Sequence, residues 1–318
     1  MKKKPFPLFL IIIALLFLAA CGSSATTETA PTAVPNTPTA APAAPTDAPE
    51  PAEEPAETKE FTIGMMVIAS IPALETVQKS FIDTLAAGGY VEGENLTIIR
   101  GNAEGDIATL NTIAQQFIDQ GVDLIVTTST PAAQAALNAT KDMVNPIPII
   151  FTTVTDPYAA GIATAPDEHP AWMTGSQMYP PLEATFDTML EINPNISVIG
   201  HLYNPAEANS VAQTEAVKAI AAERSLTLEI ATVSNSSEVK TAAESLAARG
   251  IDIFYFTQDS TVASGAEGVV QVTNDNGIPI ITNDIPTVAK GGSVAVGLRC
   301  GKTAVWRARW PPLFLTAT

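Results

Sequence analysis

The chain is predicted to fold as two doubly wound parallel-sheet α/β lobes that face each other across a cleft. Three observations predict it. Short apolar runs with strand character alternate with segments of helical spacing through residues 59–298. That alternation lapses once, over 161–181, and then restarts. Each half, 59–180 and 181–298, offers roughly 120 residues, enough to close a hydrophobic core of its own. Parallel strands need a crossover connection and a helix supplies it, so repeated β-then-α order reads as a parallel sheet.

The elements follow in order. Residues 62–68 form the first strand pattern, and 73–87 follow with Leu74, Val77, Phe81, Ile82 and Leu85 at helical spacing, closed by Gly88 and Gly89. A second strand is expected over 96–100, Asp106 is placed to cap a helix running to Gln120, and 122–126 reads as a buried strand. Pro131 occupies a favoured first-turn position for a helix through Asn138, and 147–151 supply a fourth strand before Thr155-Asp156-Pro157. In the second half a helix is expected over 182–190, a strand over 196–201, a helix over 207–224 and a strand over 226–231. Asn235 and Ser236 precede a helix over 237–248, 251–256 is a wholly apolar strand, one helix spans 261–274, and strands over 278–281 and 293–296 complete the sheet.

The N-terminal segments are of another kind. Lys2, Lys3 and Lys4 precede an apolar run over 6–17 that is short for a membrane span, and the run ends in Leu18-Ala19-Ala20-Cys21-Gly22. Residues 1–21 read as an export signal whose end resembles the bacterial lipobox, in which the cysteine thiol takes a diacylglyceryl group. Cys21 is therefore the expected lipidation site, and the expected location is extracytoplasmic, anchored to a bacterial membrane. A plain secretory peptide leads to the same side of that membrane. Residues 22–58, rich in Pro, Thr, Ala and Glu and nearly free of large apolar side chains, cannot offset their ordering entropy by burial and read as a disordered tether.

The other end departs from the pattern too. Residues 299–318 hold four basic residues, no acidic one, and two of the chain's three tryptophans. Their degenerate codons, read from the third base of Arg299, permit a continuation beginning Leu-Trp-Glu-Asn-Gly with helix-forming composition. A shifted reading frame is one expectation for this tail and a genuine basic extension is the other.

Composition excludes several classes of function. A formal charge of −17 lacks the basic footprint of a nucleic-acid binder. With Cys21 and Cys300 as the only cysteines, no disulfide framework is available and stability must come from packing. His169 and His201 are the only histidines and neither has a partner at metal-ligand spacing, so no metal site is expected. There is no Gly-x-Ser-x-Gly elbow, no phosphate loop and no Gly-x-Gly-x-x-Gly after the first strand, so neither a catalytic constellation nor a cofactor is expected.

Several short motifs remain: Pro72-Ala-Leu, Gly89-Tyr-Val-Glu-Gly93, Thr130-Pro-Ala-Ala-Gln-Ala135, Val154-Thr-Asp-Pro157, Leu202-Tyr-Asn204, Glu207-Ala-Asn-Ser210, Asn235-Ser-Ser-Glu-Val239 and Gln258-Asp-Ser-Thr-Val262. In this order and spacing the body resembles the tryptophan/tyrosine-type substrate-binding lipoproteins of ABC transporters, which share the type I periplasmic-binding-protein fold. The resemblance implies a small amino acid as ligand, aromatic or apolar, captured by lobe closure. It also implies ABC permease and ATPase subunits as partners, with the chain working as a monomer. A ligand-presenting sensory or adaptor lipoprotein is the alternative. An exported enzyme using Asp156 and Asp259 as acid and base is a third reading.

The polar clusters fall just after expected strands, where a cleft between lobes lies and helix N-termini present free N–H groups. Ser129 and Thr130 are the candidates for a ligand carboxylate, or else an internally satisfied helix cap. Thr155 and Asp156 close the fourth βα unit, where Asp-Pro is also an ordinary turn former. Asp259 is the candidate partner for a ligand ammonium, or else a cap for the helix from Thr261. Asn209, Ser210, Asn283 and Asp284 stand at comparable positions, and Ser70 follows the first strand. Tyr158 and Met65 are candidates for an apolar pocket wall, or for the core.

Overall fold

The computed structural model describes residues 60–297. The expected export signal, Cys21, the tether and the 299–318 tail lie outside the described residues.

The first lobe holds β1 (Phe61–Val67), α1 (Pro72–Ala87), β2 (Leu96–Asn102), α2 (Ile107–Asp119), β3 (Leu124–Thr128), α3 (Thr130–Thr140), β4 (Ile149–Val154) and β5 (Met173–Gln177). Its five strands lie in the order β2-β1-β3-β4-β5, all parallel. Strands buried on both faces need apolar side chains on both, and β1 meets this with Ile63 and Met65 on one face and Met66 on the other. Met66 joins Leu110, Phe117, Ile125, Ile149 and Phe151 beneath α2 and α3. Ile63 and Met65 join Leu96, Ile98 and Val126, against Phe81, Ile82 and Leu85 of α1. Gly64 lets α2 approach, because a Cβ there would stand 2.5 Å from the Phe117 ring. Asp106 starts α2 as expected, its Oδ1 accepting the Ala108 N–H at 2.8 Å.

The second lobe repeats the plan with α4 (Leu182–Ile192), β6 (Val198–Tyr203), α5 (Ala208–Glu223), β7 (Thr227–Thr232), α6 (Val239–Ala247), β8 (Ile253–Phe256), α7 (Ser260–Ser264), α8 (Ala266–Asn276), β9 (Ile280–Thr282), α9 (Pro286–Ala289) and β10 (Val294–Ala295). Its strand order, β10-β9-β8-β6-β7, is that of the first lobe read from the other edge. Leu202, Phe254 and Phe256 pack under α6 and α8, whereas Ile199, Ile253 and Tyr255 pack under α4 and α5. Two parallel α/β lobes are thus what the alternation predicted.

Three elements differ from the sequence reading. The stretch read as irregular contains β5, Met173-Thr-Gly-Ser-Gln177, whose only buried residue is Met173; an edge strand with one covered position carries almost no apolar signal. The single helix expected over 261–274 is two, broken at Gly265, where a Cβ would lie 2.6 Å from the Val239 Cβ. The short α9 between β9 and β10 was not expected.

The lobes touch. Ala263 of α7 is buried in the core cluster of the first lobe, and Ala208 of α5 packs against it. Among the described residues no helix is long and apolar enough to cross a membrane.

Candidate functional site

In each lobe the strand order reverses between the first and third strands of the chain, β1 and β3 in one and β6 and β8 in the other. Loops leaving the carboxyl ends of strands at such a switch diverge and leave a crevice. Ser70 follows β1, Ser129 and Thr130 follow β3, and Thr155 and Asp156 follow β4. On the second lobe Asn209 and Ser210 open α5 after β6, Asp259 follows β8, and Asn283 and Asp284 follow β9. Every polar residue singled out for a ligand thus stands at the same end of its sheet.

On the first lobe the backbone is strained. Ser129 has φ 109 and ψ 158, a region essentially reserved for glycine that costs a serine about 1–3 kcal/mol. Thr153, in the bulge of β4, also has a positive φ of 55. The Ser129 twist starts α3 abruptly: its Oγ accepts the Ala132 N–H at 3.4 Å, and Thr130 Oγ1 accepts the Thr155 N–H at 3.3 Å. As the first residue of α3, Thr130 directs its own N–H out of the helix end, with no carbonyl a turn back to receive it. Ser129, Thr130 and Thr155 therefore form one buried cluster at a helix start of positive potential. Asp156 does local work, its Oδ1 accepting the Tyr158 and Ala159 N–H groups at 2.9 and 3.0 Å.

The second lobe presents acceptors. Asp259 is 1 % exposed; its Oδ1 accepts the Val262 N–H at 2.8 Å, its Oδ2 the Asn204 N–H at 2.6 Å, and the Ser210 hydroxyl also donates to it. Glu207, equally buried, accepts from Ser260 N, Thr261 N and Thr261 Oγ1 at 3.1, 2.9 and 2.8 Å. Two carboxylates thus share the start of α7. Burial first, and then the neighbouring Glu207 charge, push the Asp259 carboxyl up to about 8. Beside them Asn209 donates its Nδ2 to Gln258 O at 2.8 Å, and Gln213 bridges Asn209 O and Gln258 O. Asn209 Oδ1 and Gln258 Oε1 are buried without a partner, two acceptors that a cation or N–H donor would satisfy.

Asp259 and Gln258 line an open pocket whose empty space, open solvent included, is about 540 Å³. Ile71 and Leu74 of the first lobe and Ile285 and Pro286 of the second give it apolar walls, with Met178 after β5 between them. A second, polar pocket joins Ser70 and Glu104 to Ser236, Ser264 and Lys290. Ser70 Oγ accepts from Asn102 Nδ2 at 2.9 Å.

Some candidates are already committed to the protein. The Asn283 amide accepts from Tyr255 OH at 2.7 Å and donates to Thr185 Oγ1 at 2.8 Å, which ties β9 to β8 and α4. Asp284 accepts from Thr287 Oγ1 at 2.6 Å, and burial raises its carboxyl. Met65 is core at 1 % exposure, against α1, and Tyr158 is 40 % exposed. Among the described residues no group of three or more His, Cys, Asp or Glu is placed to hold a metal ion. Glu207, Gln258, Ile71, Leu74 and Met178 were not singled out for the site from the sequence. Glu207, Gln258 and Leu74 lie inside quoted motifs, but only the fold shows that the loops after β6 and β8 meet.

The chain is similar to known proteins over this whole body. The profile of the family described as ABC transporter substrate binding protein matches residues 62–306. A tyrosine-binding protein of Clostridioides difficile (strain R20291) is 35% identical over 240 residues, 76% of this chain and 68% of that one. The crystal structure of an ABC domain in complex with L-Trp from Streptococcus pneumonia superposes with a TM-score of 0.71 at 30% identity, over 76% of this chain and 80% of that one. A conserved domain protein from Vibrio cholerae superposes with a TM-score of 0.72 at 33% identity, again over 76% and 80%. The two five-stranded lobes are those of a type I periplasmic binding protein.

Proposed function

This chain belongs to the family of ABC transporter substrate binding proteins, and from that premise we propose that it captures a small amino acid with an aromatic or apolar side chain between its lobes, outside the cytoplasm, and delivers it to a membrane permease. One observation carries the reading. The first lobe offers donors at a strained helix start, and the second offers carboxylates and orphaned amide oxygens. A zwitterion has one end for each. Its carboxylate takes the Ser129 and Thr130 hydroxyls and the Thr130 N–H, with Thr155 behind them. Its ammonium takes the Asp259 side, where Asn209 Oδ1 and Gln258 Oε1 gain the donors they lack. The apolar pocket walls then face the side chain, in keeping with the L-Trp and tyrosine in the names of two relatives.

A ligand held by both lobes stabilises the closed form by its extra affinity for that form, and a permease can read the closed shape. In this account Cys21 carries a lipid anchor, residues 22–58 are the tether, and the body acts as a monomer. Thermal unfolding against a panel of amino acids tests the reading. L-tryptophan or L-tyrosine at a hundredfold excess over its Kd is expected to add about 2.7 kcal/mol, with the gain much reduced in Asp259→Ala. Unchanged melting across the whole panel would overturn it.

A further inference from the structure

Glu207 and Asp259 pose a problem of charge. Both are almost fully buried at the start of α7, and none of the ion pairs among the described residues includes either. The groups facing them from neighbouring elements are neutral: Asn204 after β6, Ser210 and Asn209 of α5, and Thr261 of α7 itself. Charged residues on the surrounding elements have other partners. Asp284, across the pocket, is held by Thr287, and Lys290 pairs with Glu267. Glu238, on the turn before α6, is held by Ser234 and Asn235, and Lys218 of α5 pairs with Glu215. Glu104 and Lys290 flank Ser264 in the polar pocket, and His201 on β6, held down to about 4 by burial, is neutral.

Two adjacent buried carboxylates cannot both ionise without a cation, so near neutrality the unit keeps one proton, on Asp259. The two orphaned amide oxygens beside it mark where a cation would sit. We propose that Glu207 is a positioning residue of the ligand site, and that the ligand ammonium replaces a proton held by the Glu207–Asp259 pair, so that capture releases that proton to solvent. The inference rests on the amino-acid reading above. The charge balances: an ammonium enters, the Asp259 carboxyl becomes a carboxylate, and one proton leaves. Affinity therefore rises with pH up to the point where the free protein has already lost the proton, and is level above it.

The test is calorimetric titration of the folded chain with L-tryptophan and L-tyrosine, in buffers of different ionisation enthalpy. Near pH 7 close to one proton should be released per ligand bound, and Kd should fall about tenfold from pH 6 to pH 7 and flatten above about pH 8. A free amino acid keeps its ammonium through this range. Glu207→Gln removes the like charge but leaves the burial, so it should release less of a proton near pH 7 and reach its affinity plateau at a lower pH than the unaltered chain; Asp259→Asn should lose the release altogether. Binding by the unaltered chain with no buffer-dependent heat and no pH slope overturns the proton exchange but leaves the ligand reading standing. No binding of either amino acid at any pH overturns both. The unaltered chain decides the matter even if a variant fails to fold.

Discussion

Acid should weaken this fold through His201, and the structure sets the size of the effect. The ring is completely buried on β6, stacked 5.6 Å from Tyr255 and 5.9 Å from Tyr203, with Nδ1 against Tyr255 O at 3.2 Å and Nε2 against Thr214 Oγ1 at 3.0 Å. Burial lowers its pKa from 6.5 to about 4, so the folded chain holds it neutral where an unfolded chain would protonate it. The contribution is fully present above pH 6.5 and is lost as pH falls toward 4. Its full extent is about 3 kcal/mol, and about 2 kcal/mol is gone by pH 5. Asp259 acts in the opposite sense: its raised pKa favours the fold at low pH and is lost as pH rises through about 8. The raw pH profile therefore mixes the two. Comparison with His201→Phe isolates the histidine, because phenylalanine keeps an aromatic ring between the tyrosines and cannot titrate. The variant should be less stable near neutrality by about 1–3 kcal/mol, from the orphaned Thr214 and Tyr255 groups, and the gap should shrink by about 2 kcal/mol toward pH 5. Urea denaturation of both proteins at several pH values reads this directly. A gap that stays constant with pH would refute the reasoning.

Two other substitutions follow from the backbone. Ser129→Gly should relieve about 1–3 kcal/mol of strain while losing a few tenths from the cap, so the ligand-free melting temperature should rise while stabilisation by L-tryptophan falls. A lower melting temperature would show that the serine carries more structure than strain. Gly64→Ala should destabilise by about 1–3 kcal/mol, because its Cβ would meet the Phe117 ring at 2.5 Å, and adding Phe117→Leu should recover part of the loss; a neutral Gly64→Ala in denaturant titration would contradict that packing.

Where the sequence could be read, the reason was burial on both faces. The runs Met65-Met66-Val67 and Phe254-Tyr255-Phe256 have no exposed side and announce themselves without an alignment. The strand β5 could not be read, because only Met173 is covered and Thr174 to Gln177 resemble a loop. The glycine at the 265 break answers to a tertiary constraint, the close approach of Val239, that no local pattern records. The site divides in the same way. Ser129, Thr130 and Asp259 stand out as polar residues where apolar strands give way to helices, a signal local in sequence. Glu207 looks like an ordinary surface acid at a helix start; its burial exists only because the loops after β6 and β8 adjoin and Ser260 and Thr261 turn their N–H groups onto it. Asn283 shows the converse, a plausible ligand residue whose amide is consumed by Tyr255 and Thr185, the latter 98 positions away in sequence.

A crystal structure of the chain grown with L-tryptophan bears most directly on the central claim. The account predicts the amino acid between the lobes, with its carboxylate at Ser129 and Thr130 and its ammonium within hydrogen-bond reach of Asp259, Asn209 or Gln258. Lobes shut against each other with the ligand elsewhere, or a bound amino acid touching only one lobe, would contradict it.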